Sequence, residues 1–206
     1  NVGQQGTGVD TTALSGGEVT IAIGSGQAVS IGASAAGTAN GQSVGSAYAK
    51  AAAINGSGVS GLTATANTTV QFNLAATAVA ATETDYDLTI NNVAVYTDYD
   101  ATADGAITAD SLVAQINSNS GTTGVVATYD ATNTRVTLTA ADGRDIAITQ
   151  ANTTTANGGF GVTEGTNNAS NTATLATAAG ASTSATYVGS IRLTSAEQLT
   201  IGGTAA

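Results

Sequence analysis

Asp85-Tyr86-Asp87-Leu88-Thr89-Ile90-Asn91-Asn92-Val93-Ala94-Val95 alternates polar and apolar residues on either side of an Asn-Asn pair. Tyr86, Leu88 and Ile90 fall on one face of a strand and Asp85, Asp87 and Thr89 on the other, the period-2 pattern of a half-buried strand. Asn tolerates positive φ, so Asn91-Asn92 predicts a tight hairpin turn, with Val93 and Val95 on the returning strand. Downstream the period changes. Ala109, Leu112, Val113 and Ile116 stand at i, i+3, i+4 and i+7 of a helix, with Thr108 as its cap, Asp110 in its first turn and Asn117 at its end. Strands then resume: Val125, Ala127 and Tyr129 alternate, Asp130 to Asn133 turns, Val136 and Leu138 follow, and Ile146 and Ile148 come after Asp142-Gly143.

The same order of elements precedes this stretch. Val19, Ile21 and Ile23 share a strand face, Gly24-Ser25-Gly26 offers a turn, and Val29 and Ile31 return, which predicts a hairpin. Val44, Ala47, Tyr48, Ala51 and Ile54 have helical spacing, with Ser43 or Ser46 to cap the helix and Asn55 suited to a left-handed C-terminal position. Leu62, Ala64 and Ala66, then Val70, Phe72 and Leu74, predict a second strand pair. The repeat is visible residue by residue: Ala53-Ile54-Asn55 leads to Gly61-Leu62-Thr63-Ala64-Thr65, and Gln115-Ile116-Asn117 leads to Gly124-Val125-Val126-Ala127-Thr128. A solenoid needs at least about three stacked repeats, so two copies predict two packed subdomains.

The expected fold is therefore mainly β (α+β), with antiparallel sheets and one short helix in each of two strand-pair, helix, strand-pair subdomains. The first takes residues 1–77 plus 151–206, and the second, 78–150, is inserted into it. Thr153 to Ala185 is low in complexity and predicts long loops and weak strands anchored by Phe160, Val162 and Leu175. Ile191-Arg192-Leu193 and Leu199-Thr200-Ile201 supply two last strands that return to the first subdomain.

Composition removes several functions. Among 206 residues, 14 are acidic and 4 basic, for a net charge of −10, which disfavours nucleic acid, whose binding depends on clustered Lys and Arg. No run approaches the about 18 apolar residues of a membrane span, and no signal peptide opens the chain. Cys is absent, so no disulfide reports the compartment, although an exported chain threaded unfolded through a narrow channel does well without one. Aromatic residues make up 4%, and Trp and Met are missing, so the core must consist of Val, Ile, Leu, Ala and a few Tyr. The start at Asn1 without Met, and the stop at Ala206, predict a middle segment of a longer protein.

Motifs that match chemistry by letter fail by context. Gly41-Gln42-Ser43-Val44-Gly45 has the spacing of a nucleophile elbow, but the sequence has no His to act as base, and Ser43 reads better as a helix cap. Gly56-Ser57-Gly58-Val59-Ser60-Gly61 has the dinucleotide-binding spacing, yet it follows a helix and precedes a strand, the reverse of what phosphate binding needs. Asp98, Asp100 and Asp104 are the calcium candidates within the acidic stretch that includes Glu83, Asp85, Asp87 and Asp110. Thr102 and Ala103 occupy the positions where an EF-type loop needs an oxygen and a Gly, so a solvated acidic edge is the preferred reading. A glycosidase carboxylate pair would need stacking aromatics that are scarce here. Tyr96, Tyr99 and Tyr129 suit half-buried packing better than sugar stacking. Asn55-Gly56-Ser57, Asn67-Thr68-Thr69, Asn152-Thr153-Thr154 and Asn168-Ala169-Ser170 fit the N-glycan acceptor pattern, which chance supplies freely in a chain this rich in Asn and Thr. No catalytic residue, cofactor site or firm metal site emerges.

Thr84 to Thr149, with Leu88-Thr89-Ile90-Asn91, Leu112 to Asn117, Gly124 to Thr128 and Asp142 to Ile148, resembles the flagellin hook IN motif. Ser46-Ala47-Tyr48-Ala49-Lys50-Ala51-Ala52-Ala53-Ile54-Asn55 is similar to a second hallmark of flagellin middle regions. Tyr187 to Gly203, with Gly189-Ser190-Ile191-Arg192-Leu193 and Ile201-Gly202-Gly203, is similar to the segment by which such regions return toward the filament. The resemblance implies a secreted structural protein: the surface-exposed outer domain of a bacterial flagellar filament subunit, contributing to surface properties, antigenicity and motility, with no enzyme activity. Neighbouring flagellin subunits are then its partners, and surface glycans, O-linked on Ser or Thr, are its expected modification. Flagellins polymerise through long terminal heptad helices, which this sequence lacks. Some flagellins carry a zinc peptidase insertion, and the missing His excludes that activity here. The alternatives are the outer domain of a hook-associated or cap protein, or an adhesin-like carbohydrate-binding module.

Overall fold

The computed structural model describes residues 2–74, 77–152, 158–161, 163–169, 171, 173, 175 and 180–204. Along the chain run β1 (Val2–Gln5), β2 (Val19–Ile23), β3 (Val29–Ser30), α1 (Ala47–Asn55), β4 (Thr63–Asn73), β5 (Thr77–Val79), β6 (Tyr86–Ile90) and β7 (Val93–Tyr99). They are followed by α2 (Ala101–Asp104), β8 (Ile107–Thr108), α3 (Ala109–Ser118), α4 (Ser120–Thr123), β9 (Val126–Asp130), β10 (Arg135–Ala140) and β11 (Ile146–Asn152). β12 (Thr163–Thr166), β13 (Ala181–Tyr187), β14 (Ser190–Ser195) and β15 (Leu199–Gly203) close the sequence of elements. Every strand pairing among the described residues is antiparallel, and the fold is mainly β.

The Asn91-Asn92 hairpin forms as its residues dictate. Both asparagines take positive φ, 48° and 62°, as a two-residue primed turn requires, and Ile90 faces Val93 across it. The resulting sheet has the order β13-β11-β6-β7, and Tyr86, Leu88 and Ile90 are fully buried on one of its faces. A second sheet orders β1-β14-β4-β10-β9, with β12 also on β4. α3 is capped by Thr108, whose hydroxyl accepts from the Ser111 N–H at 3.1 Å, and buries Leu112 and Ile116. The final strands return as expected: β14 pairs with β4 and β1, and β15 pairs with β2.

Three expectations need correction. The predicted second strand pair is one strand of eleven residues, β4. Ala64, Ala66, Thr68, Val70 and Phe72 are all even-numbered, so the alternation never changes phase, and Thr68 is buried between the two expected strands. Asn55 is not left-handed; it is the last residue of α1, and the cap at Gly56 is right-handed at φ −77°. Residues 78–150 hold three helices where one was expected, because Asp100 caps the four-residue α2 and Asn119 to Gly124 forms another short turn of helix, α4.

The C-terminal end of the low-complexity stretch enters a regular strand. β13 runs seven residues against β11, from Ile146 opposite Tyr187 to Asn152 opposite Ala181. Its signal was weak because Ser and Thr fill its exposed face, leaving only Ala185 and Tyr187 as buried markers. Phe160 and Leu175 are fully buried, as anchors should be, whereas Val162 lies outside the described residues.

Among the described residues, two apolar cores result. The larger gathers the buried faces of β6, β10, β11 and α3 with Phe72, Phe160 and Tyr187, whose rings meet at 4.9 Å for Phe72 and Phe160 and 5.3 Å for Phe72 and Tyr187. The smaller joins Leu14, Ile21, Ile31, Ile54, Leu193 and Leu199. β4 serves both, with Ala64 in the smaller and Val70 and Phe72 in the larger. Among the described residues, no helix is long and apolar enough to cross a membrane.

Candidate functional site

The repeated Ile-Asn pairs occupy equivalent places. Ile54 and Ile116 are buried, each in a different core. The asparagine that follows turns its carboxamide onto a strand. Asn117 donates from Nδ2 to the Ala127 carbonyl at 2.9 Å and accepts the Ala127 N–H on Oδ1 at 2.8 Å. Asn55 makes the same pair of bonds to Ala64, at 2.9 and 2.8 Å. Ala64 and Ala127 are the residues that the sequence repeat places in register. Gln115, two residues before Asn117, donates to the Val95 carbonyl of β7 at 3.1 Å. The sequence reading missed this role of Asn55 and Asn117, and the aligned alanines were the signal that could have found it.

A polar clamp joins the loop before α1 to the turn between β10 and β11. Arg144 binds Asp142 at 2.9 Å and donates to the Asn40 carbonyl at 3.0 Å. Gln42 also donates to Asp142, and Ser43 donates to Asp145 at 2.5 Å. Burial raises the Asp142 carboxyl, but hydrogen bonds from Arg144 and Gln42 outweigh it and leave the group below its ordinary value. Burial pushes Asp145 the other way, above its ordinary value, despite the Ser43 bond. Ser43 thus does not cap the helix; its hydroxyl is spent on the Asp145 carboxylate. Ser46 is the cap, accepting from Ala49 N at 3.2 Å.

The calcium candidates do not come together. Asp100 caps α2, accepting from Thr102 N at 2.9 Å and Thr102 Oγ1 at 2.5 Å, which hold its carboxyl low. Asp104 ends the same turn, exposed. Asp98 instead joins Asp85 and Asp87 across the β6–β7 pair, with one carboxylate oxygen from each within 4.8 Å of the others. The Asp98 N–H donates to Asp87 at 2.9 Å.

Tyr96, Tyr99 and Tyr129 all pack, half-buried, against the larger core. Tyr96 and Tyr99 meet edge to face at 5.2 Å, and the Tyr99 hydroxyl donates to the Gly105 carbonyl. Of the glycan acceptor patterns, Asn67 is exposed in β4, Asn152 and Asn168 are buried, and Asn55 is engaged with Ala64. Thr153, Thr154 and Ser170 lie outside the described residues. Gly58 and Gly61 take positive φ in the turn after α1, so the dinucleotide-like run is a helix exit. A groove of about 640 Å³ runs over Val9, Leu14, Ile54 and Leu193, with the Asp10–Lys50 ion pair among its lining residues.

Residues 87–142 match the family model of the flagellin hook IN motif. The chain carries a flagellin hook IN motif. The match supports a flagellin-family structural protein, and no curated protein matches the chain. The flagellin family is structural, and the resemblance implies assembly with other flagellin subunits into an extracellular filament. The flagellin motif begins in β6 and ends at Asp142, the partner of Arg144. It contains Asn117 and Ala127, whereas the first copy of the repeat, with Asn55 and Ala64, lies outside the matched residues.

Proposed function

We propose that the chain is the surface-exposed outer domain of a flagellar filament subunit, outside the cell, where it sets filament surface properties and contributes to motility. The observation that carries this reading is the match of 87–142 to the flagellin hook IN motif. The described elements agree with a projecting domain. The longest helix among them is the ten-residue α3, too short for the heptad seam through which long helices polymerise. The net charge of −10 favours a solvated, dispersed surface. Ser182, Ser184 and Thr186 line the exposed face of β13 and offer hydroxyls to surface O-glycans.

The chain has no Cys, so a cysteine introduced into it can be read against the unsubstituted parent protein. Ser184→Cys in the protein that carries the chain, treated with a membrane-impermeant maleimide on intact cells, should label the full length of the filament. Label confined to the hook junction or the filament tip would place the chain in a hook-associated or cap protein. No label on intact filaments, with labelling after dissociation, would contradict surface exposure.

A further inference from the structure

The end strands of a sheet carry a row of unpaired N–H and C=O groups, and these invite pairing with another chain. β9 and β1 end one sheet, and β7 and β13 end a second. The first half of β4 is a further such edge. β14 pairs with Thr63 to Asn67 on one side, while β10 begins only at Thr68 on the other. At one residue each of β9, β7 and the first half of β4, outward groups are engaged by a side chain. Asn117 holds both backbone groups of Ala127 in β9, Asn55 holds both of Ala64 in β4, and Gln115 takes the Val95 carbonyl of β7.

The helix makes this arrangement possible. At 100° per residue, Gln115 and Asn117 project about 200° apart around α3, on either side of the stripe formed by Leu112 and Ile116. Burying that stripe therefore aims one carboxamide at the β7 edge and the other at the β9 edge. A primary carboxamide presents its C=O and one of its two N–H groups side by side, as a single residue of an antiparallel strand presents its own C=O and N–H, so it can stand in for one residue of a missing strand. Unlike a strand, it offers no further edge beyond itself.

The geometry points to an edge-sealing role for the asparagine of each Ile-Asn pair: Asn55 and Asn117 block the addition of a second copy of this chain to β4 and β9. The occupant excluded is a second copy, because neighbouring copies present the same antiparallel edges and meet at high local concentration in any repeating assembly. The inference stands on these hydrogen bonds and holds whichever assembly carries the chain.

The test uses the isolated chain, with amide exchange read by NMR and association read by sedimentation velocity. In the wild type the Ala64 and Ala127 N–H groups should be protected although each lies on an outer edge, and the chain should remain monomeric. Asn117→Ala should speed exchange at Ala127 by about tenfold or more while the β9 amides that face β10 stay protected, and it should make the chain associate as concentration rises. Asn55→Ala is the second variant, with Ala64 as its reporter, should the first fail to fold. Ile148→Val, a core change that opens no edge, should stay monomeric. Free exchange at Ala127 and Ala64 in the wild type overturns the inference. So does a folded Asn117→Ala or Asn55→Ala chain whose freed edge leaves it monomeric, or association of Ile148→Val to the same extent.

Discussion

Arg144 lies across Gly124, so that a β-carbon at position 124 would overlap the guanidinium group. Gly124 also has φ 70°, closing α4 in the left-handed region. Gly124→Ala should therefore destabilise through two causes: about 1 kcal/mol for backbone strain, and a further loss as Arg144 is driven from Asp142 and the Asn40 carbonyl. In an Arg144→Ala background only the first cause remains. A double-mutant cycle by urea unfolding should show a coupling of at least about 0.5 kcal/mol, and simple additivity would contradict the account.

The elements that could be read from sequence were those whose side chains alternate against a core. Tyr86, Leu88 and Ile90 predicted β6, Asn91-Asn92 predicted its turn, and Ile191 and Leu199 predicted the returning strands. β4 reads as two strands because Asn67-Thr68-Thr69 carries no apolar residue between Ala66 and Val70, although the even-numbered alternation runs unbroken through it. α2 and β13 carry too few large apolar residues to announce themselves. The clasps at Asn55 and Asn117 were hidden for another reason. Asparagine near a helix end is read as a terminator, and only long-range geometry shows its carboxamide reaching a strand nine or ten residues on.

The clamp should fail in acid. Asp142 titrates below its ordinary 3.8 when folded, so its contribution is present above that value and is lost as pH falls through the depressed folded one. Asp10, Asp100 and Asp130 shift in the same direction. Asp145 is raised and works oppositely, its contribution present below 3.8 and lost as pH rises through its folded value. Asp142→Asn should lower the melting temperature near neutral pH by more than it does at about pH 3. An equal loss at both would show that its charge is not what matters.

Calcium should have no specific effect. A ligand at 100 times its dissociation constant adds about 2.7 kcal/mol, a shift in melting temperature easily measured. Millimolar calcium is expected to match an equal ionic strength of sodium chloride. A calcium-specific rise that disappears in Asp87→Asn with Asp98→Asn would identify the β6–β7 cluster as a site. One that disappears in Asp98→Ala with Asp100→Ala but survives in Asp87→Asn would restore the sequence candidates.

The division into 1–77 with 151–206 and 78–150 is a proposal that fragments can test. The core of 78–150 is completed by Phe72 from β4, by Phe160 and by Tyr187 from β13. A fragment of residues 63–188 should unfold cooperatively, and 78–150 alone should be far less stable. A melting temperature for 78–150 equal to that of the whole chain would fix the borders at 78 and 150.

The central claim is that this chain is an outer domain whose removal spares assembly. The most direct measurement is electron microscopy of filaments from cells in which residues 1–206 are deleted from the parent protein and the ends are joined by a short flexible linker. The account predicts that filaments still form, with a thinner or smoother surface and altered swimming. A deletion protein that is secreted normally yet forms no filament would place assembly information in this chain and contradict it.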